Sequence, residues 1–143
     1  MHDLHNNIDA QVCIESVAVG TTGTGQTGGV IDLQGYGGVE FICNYGAITA
    51  TDAVFTVVVQ EGDVTGTLTS VADADLLGTE LLAGVIGAAT RVDGTSEKVV
   101  KRVGYKGGKR YVNCSISSTV TAGTPVSVSA VLHSPNVAPV DNP

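Results

Sequence analysis

The stretch VGTTGTGQTGGVID, residues 19–32, decides the fold. Gly23, Gly25 and Gly28 spell G-x-G-x-x-G, the spacing of a loop that cradles a dinucleotide pyrophosphate. If a helix comes after it, the chain is an α/β nucleotide-binding fold. If it only joins two strands, the chain is all-β. A phosphate cradle needs the helix, because free N–H groups and the helix dipole must face the phosphate. The residues after Gly28, GVIDLQGYGG, are few, β-branched and broken by Gly35. The acid that holds a ribose should lie about 20 residues further on. Glu40 comes too early and Asp52 sits in a turn. Gly29 stands where a Walker loop needs lysine. The loop therefore reads as a surface connection between strands, with no nucleotide and no other cofactor expected.

The flanking segments agree. Residues 10–19 (AQVCIESVAV) read as a strand and VIDL, 30–33, as a short one, with GYGG, 35–38, as a turn. VEFICNY, 39–45, places Val39, Phe41, Cys43 and Tyr45 on one face. AVFTVVVQE, 53–61, is apolar on both faces near its middle, which predicts a central strand covered on both sides. EGDVTG reads as a turn and TLTSVA as a weak strand. DADLLGTELLAGVIGAAT, 73–90, is ambiguous: Asp73 or Asp75 could cap a short helical turn, while Gly78, Gly84 and Gly87 oppose a long helix. Residues 97–105, 109–118 and 124–133 complete about eight strands, with turns every 8–12 residues as in a β-sandwich or barrel. Val39, Phe41, Cys43, Phe55, Val57, Val59, Val112, Cys114, Ile116, Val126 and Val128 are the expected core.

Composition bounds the rest. The 143 residues favour one domain, and Val- and Thr-rich segments suit a pleated sheet. No apolar run approaches the roughly 18 residues that a membrane helix needs. MHDLHNNIDA has neither a basic nor an apolar signal region, so production in a reducing cytosol is expected. Cys13, Cys43 and Cys114 are an odd number with no C-x-x-C, which favours three buried free thiols.

Candidate chemistry is sparse. His2 and His5 form H-x-x-H at a terminus, and Asp73 and Asp75 form D-x-D without the glycine and glutamate of a calcium loop. Asn113 heads an N-x-S triplet within a strand, a poor place for glycosylation. A Ser-His-Asp set would depend on His133, and no G-x-S-x-G elbow supplies its nucleophile. No catalytic or metal site is expected, and the chain reads as a non-enzyme. Charge is more informative. The net charge is -7, residues 1–90 contain 11 acids and no Lys or Arg, and all 7 cations fall in residues 91–110. Lys98, Lys101, Arg102, Lys106, Lys109 and Arg110 are the candidate interface residues, expected to meet an acidic protein surface. Edge lysines can instead simply blunt a sheet. Nucleic acid is disfavoured by the net negative charge and by the few aromatics nearby.

LHNNI (4–8), YGAITATDAVFTVVVQEGDVTGTLTSVADADLLGTE (45–80), RVGYKGGKRYVNCSISSTVTAGTPVSVSAVL (102–132) and the Pro-rich ending together resemble a family of small structural proteins of tailed phages and prophages. That family is associated with the major capsid protein and includes capsid decoration (cement) proteins. The resemblance implies an all-β, jelly-roll-like β-sandwich with residues 1–9 and 134–143 as extended arms. It also implies a homotrimer on the outer surface of the virion, bound to the phage major capsid protein. Another head–tail or tail component, or a host-surface ligand-binding β-sandwich, are the alternatives.

Overall fold

The computed structural model describes residues 3–19, 25–48, 53–86, 99–119 and 124–140. Among them, eleven strands form two antiparallel sheets. The first orders β1 (Ile8–Val19), β11 (Thr124–Pro135), β4 (Tyr36–Tyr45), β9 (Val99–Tyr105) and β7 (Leu76–Leu77). The second orders β2 (Gly25–Gln26), β10 (Tyr111–Ser118), β5 (Val54–Val64) and β6 (Thr67–Ser70). The short strands β3 (Ile31–Asp32) and β8 (Val85–Ile86) extend it, on β10 and β5 respectively. With β2 and β3 taken as one interrupted strand, the long strands alternate between sheets in the order of a jelly roll, two Greek keys back to back. The expected all-β sandwich is therefore the fold, with more strands than the eight read from sequence because four of the eleven have only two residues.

The period-2 pattern builds the core directly. All eleven residues expected inside are buried, together with Ile14, Ile48, Val103, Tyr105 and Leu132 among others. Cross-strand register keeps them on one face: Phe41 lies opposite Ala130 on one side and Val103 on the other, and Cys114 and Ile116 lie opposite Val59 and Val57. The Tyr45 and Phe55 rings meet between the sheets, with centroids 5.8 Å apart. Strand β5 is central in hydrogen bonding but not covered on both faces. Val57 and Val59 are buried while Val58, on the outer face, is only half-buried, because a two-layer sandwich has no third layer to cover it.

Several turns differ from their expected places. Gly37 and Gly38 are already in β4, so the turn contracts to residues 33–35. Asp32 holds it by accepting the Gln34 N–H at 2.9 Å, and Gly35 supplies a φ of 93°. Strand β5 runs on to Val64, through most of the expected turn. Asp73–Asp75 form a 3-10 turn without a side-chain cap, and the capping residue is Thr79 instead. Its Oγ1 accepts the Leu82 N–H at 3.1 Å, starting α1 (Glu80–Ala83). At the termini, His5–Asn7 form a 3-10 turn, and Ile8 and Asp9 already pair with β11. Ser134 and Pro135 end β11, and Val140 donates to the Asn6 carbonyl at 2.9 Å. The two expected arms thus meet each other over their described residues.

The glycine motif has a packing explanation. Gly23 lies outside the described residues. Gly25 has φ of 147°, and a Cβ there would come within 2.3 Å of the Ile116 carbonyl oxygen. A Cβ on Gly28 would lie 2.1 Å from the Cys114 carbonyl oxygen and 2.5 Å from Cys13 Sγ. No helix comes next: residues 27–30 link β2 to β3 with neither helix nor strand, and the Gly29 N–H donates to the Cys13 carbonyl at 2.7 Å. These glycines let β1 and β10, from opposite sheets, approach one strand between them. Gly28→Ala should therefore destabilise by about 1–3 kcal/mol, the usual cost of forcing extra volume into a packed site. A urea unfolding curve that superimposes on wild type would contradict this.

Candidate interaction surface

The cationic segment divides into two groups in space. On β9, Arg102 is on the outer face, its side chain 79% exposed, with Nε 3.6 Å from Glu40 Oε1 of β4. Lys101 occupies the alternate face, opposite buried Cys43, and is half-buried. The second group sits where β9 turns into β10. Lys106 is exposed and its N–H donates to the Asp75 carbonyl at 2.9 Å. Lys109 Nζ lies 2.5 Å from Asp63 Oδ2. Arg110 grips Asp32 with two bonds, Nε to Oδ1 at 2.9 Å and Nη2 to Oδ2 at 2.7 Å, and its guanidinium lies 4.9 Å from the Tyr111 ring centroid. Lys98 and Arg91 lie outside the described residues. Three cations therefore meet acids from the cation-free first 90 residues, while Lys101 and Lys106 have no ion pair among the described residues.

The titration shifts match the contacts. The bond from Arg110 holds the Asp32 carboxyl below the usual carboxylate range, and Asp32 raises Arg110 in turn. Asp63 likewise raises Lys109. These groups are exposed, so solvent screens each pair and it adds little to stability. Beneath them Tyr105 is buried, and its hydroxyl donates to Glu61 and accepts the Lys109 N–H, the latter at 3.0 Å. Burial first, and Glu61 second, push its phenol up. The network fixes the turn that presents Lys106, Lys109 and Arg110. Beside it, Leu33, Tyr36, Gly37, Asp63, Lys109 and Arg110 border an open cleft of about 390 Å³.

The surface feature that sequence reasoning missed is aliphatic. Leu81 and Leu82 on α1 are 69% and 66% exposed, with Leu77 on β7 and Val100 on β9 also open to solvent. The doubled leucines of DADLLGTELLAG were the available signal, since a four-residue helix and a two-residue strand cannot bury both members of each pair. Glu80 fixes α1 against the second sheet, with Oε1 accepting the Val59 N–H at 2.5 Å.

The three thiols are buried and unpaired. Cys13 Sγ lies 3.5 Å from the carbonyl oxygens of Gly29 and Cys114. Burial raises its thiol to about 11, and Cys114 is raised by its hydrogen bond to Cys43 and by burial. The thiolate is the reactive form. Native protein at pH 8 should thus resist iodoacetamide, whereas denatured, unreduced protein should take up three labels. Two labels fewer in the denatured sample would reveal a bridge and contradict free thiols. Among the described residues no His, Cys, Asp and Glu side chains gather as they would around a metal ion, and no helix is long and apolar enough to cross a membrane.

No protein-family model matches the sequence, and no curated protein matches it. Among solved structures, the SPBc2 prophage-derived protein YomS superimposes with a TM-score of 0.47 at 12% identity, over 90% of this chain and 94% of that one. A Bacillus endospore appendage structure, described as a family of disulfide-linked pili, gives a TM-score of 0.44 at 14% identity, over 94% of this chain and 96% of that one. Likenesses at this level carry no functional weight. The molecule is defined by its own geometry as a jelly-roll β-sandwich with a cationic turn at one end and an exposed aliphatic flank.

Proposed function

We propose that this chain is a non-catalytic structural protein of a tailed-phage or prophage virion, a decoration (cement) protein that binds the assembled major capsid protein as a homotrimer. The observation that carries the reading is the sequence resemblance over residues 45–80 and 102–132, which falls on β5 to α1 and on β9 to β11 of a jelly roll. The surface supports it. Lys106, Lys109 and Arg110 project from one turn, held by the Tyr105 network, and offer an acidic shell several cationic contacts at once. Each contact is weak, and many symmetric copies on one particle add through multivalency. The test is cosedimentation of purified protein with shells of the major capsid protein. Binding that weakens as salt rises supports the reading, and protein left wholly at the top of the gradient at low salt overturns it.

The cleft beside Tyr36, Asp63, Lys109 and Arg110 favours a second reading, a host-surface ligand-binding module. Its charged walls could take a polar ligand such as a sugar acid. A glycan array on which Tyr36→Ala and Arg110→Ala abolish a wild-type signal would support it over the capsid role.

A further inference from the structure

The outward face of the second sheet is uncharged over residues 56–60 of β5 and 113–117 of β10. Cross-strand register places Asn113, Ser115 and Ser117 opposite Gln60, Val58 and Thr56. These positions alternate with Val57 and Val59, and with Val112, Cys114 and Ile116, which fill the core, so all six belong to the face turned away from it. The outward face of the first sheet, by contrast, carries Arg102 and Glu40.

A groove of about 230 Å³ is set into this uncharged face. Ser115 and Ser117 of β10 run along it, Val58 of β5 lines one side, and Gln26 and Thr27 line the other. The glycine motif sets that second wall. Gly25 lets β2 approach the Ile116 carbonyl, and the Gly28 N–H donates to Ser115 Oγ at 3.4 Å. The polar groups here are largely unused. Ser115 keeps its own O–H to give, and the side chains of Gln26, Thr27 and Ser117 make no hydrogen bond among the described residues. The next position along the row is Asn113. It is only 4% exposed, and its Oδ1 is buried with no hydrogen-bond partner among the described residues. A buried acceptor without a partner weakens the fold, so its retention calls for a reason beyond packing. Rotation about χ2 exchanges the amide oxygen and nitrogen, and the same side chain can then present its acceptor outward.

These groups select a ligand class. An ion placed here would give up its hydration with no opposite charge to meet it, so the ligand is neutral. A peptide strand needs an open edge, and β10 has β5 on one side and β2 with β3 on the other. What the groove offers is a set of hydroxyl and amide groups around one aliphatic side chain. A pyranose ring matches it, since its hydroxyls both give and accept hydrogen bonds and its C–H face can cover Val58.

We propose that this groove binds a neutral glycan, with Gln26, Thr27, Ser115 and Ser117 bonding its hydroxyls, Val58 beneath the ring, and Asn113 supplying the acceptor that the fold leaves unused. The groove shares no residue with the cleft beside Tyr36 and Arg110, and the inference depends on neither reading above.

The test is a printed array of neutral hexose and N-acetylhexosamine oligosaccharides beside sialylated and uronic ones, probed with the full chain. Wild type should bind among the neutral glycans. Gln26→Leu with Thr27→Val removes the polar groups of the β2 wall at nearly constant volume, and should cut that signal by about tenfold or more. Asn113→Leu should cut it as far and should also raise the urea midpoint, because an unpaired buried amide gives way to an apolar side chain of similar size. Arg110→Ala should leave the neutral signal unchanged, and both groove variants should meet capsid shells as wild type does, so that this site and the two readings above stand or fall separately. If Asn113→Leu loses the native far-UV spectrum, Ser115→Ala takes its place. An array with no neutral glycan bound, neutral binding that the Gln26 and Thr27 pair of changes leaves intact, or binding confined to acidic glycans and lost in Arg110→Ala overturns the proposal.

Discussion

Phe55→Ala is expected to lower the unfolding free energy by about 3–5 kcal/mol, through lost transfer energy plus the cavity left behind. Phe55 is 1% exposed and packs on the Tyr45 ring between the sheets. Its backbone joins three strands: it lies opposite Ser118 of β10 and Val85 of β8 within the second sheet. Tyr45 cannot follow a shrinking side chain, because its hydroxyl is bound to the Ala83 carbonyl at 2.9 Å. The cavity should therefore collapse poorly, toward the upper part of that range. Native domains have only about 5–15 kcal/mol in all, so a urea midpoint close to wild type would mean that the core has been wrongly assigned.

The triple reversal Lys101→Glu, Arg102→Glu and Lys106→Glu should reduce particle binding more than tenfold while leaving the fold intact. No one of these charges is decisive, since exposed pairs are worth only about 0.2–1 kcal/mol. Together they remove more than half of the described cations on this side: Lys106 from the turn after β9, and Lys101 and Arg102 from β9 itself. Reversal also sets a carboxylate at position 102 beside Glu40, where an ion pair now stands. Cosedimentation across a salt series measures the effect. The wild-type affinity should fall as ionic strength shortens the Debye length below about 8 Å, and the residual binding of the triple variant should respond less to salt. If the triple variant binds as tightly as wild type at every salt concentration, the cationic segment is only a solvated edge. A far-UV spectrum and urea midpoint near wild type establish that any loss is not unfolding.

The sandwich was legible because each sheet buries one face and so writes period 2 into its longest strands. Val39, Phe41 and Cys43 in β4, or Val112, Cys114 and Ile116 in β10, announce their inward side without reference to any distant residue. The two-residue strands were not legible, since two residues cannot display a period. The charge pattern was visible but its placement was not. Acids and cations separate along the chain, yet the jelly roll returns β9 and β10 to the neighbourhood of β3, β4 and β5, where Asp32, Glu40 and Asp63 meet Arg110, Arg102 and Lys109. Asp32 and Arg110 are 78 positions apart, and nothing local marks them as partners. The exposed leucines of α1 escaped for a related reason: their setting is tertiary, fixed by Thr79, Glu80 and the edge of β5.

The central claim is best tested by a reconstruction of the particle that carries this protein, compared with one from which it has been deleted. The capsid account predicts jelly-roll density on the outer surface of the shell, with the Lys106–Arg110 turn toward acidic residues of the major capsid protein, and its disappearance from the deletion particle. Shell density identical in the two particles, or density for this chain at the neck or tail alone, would contradict it.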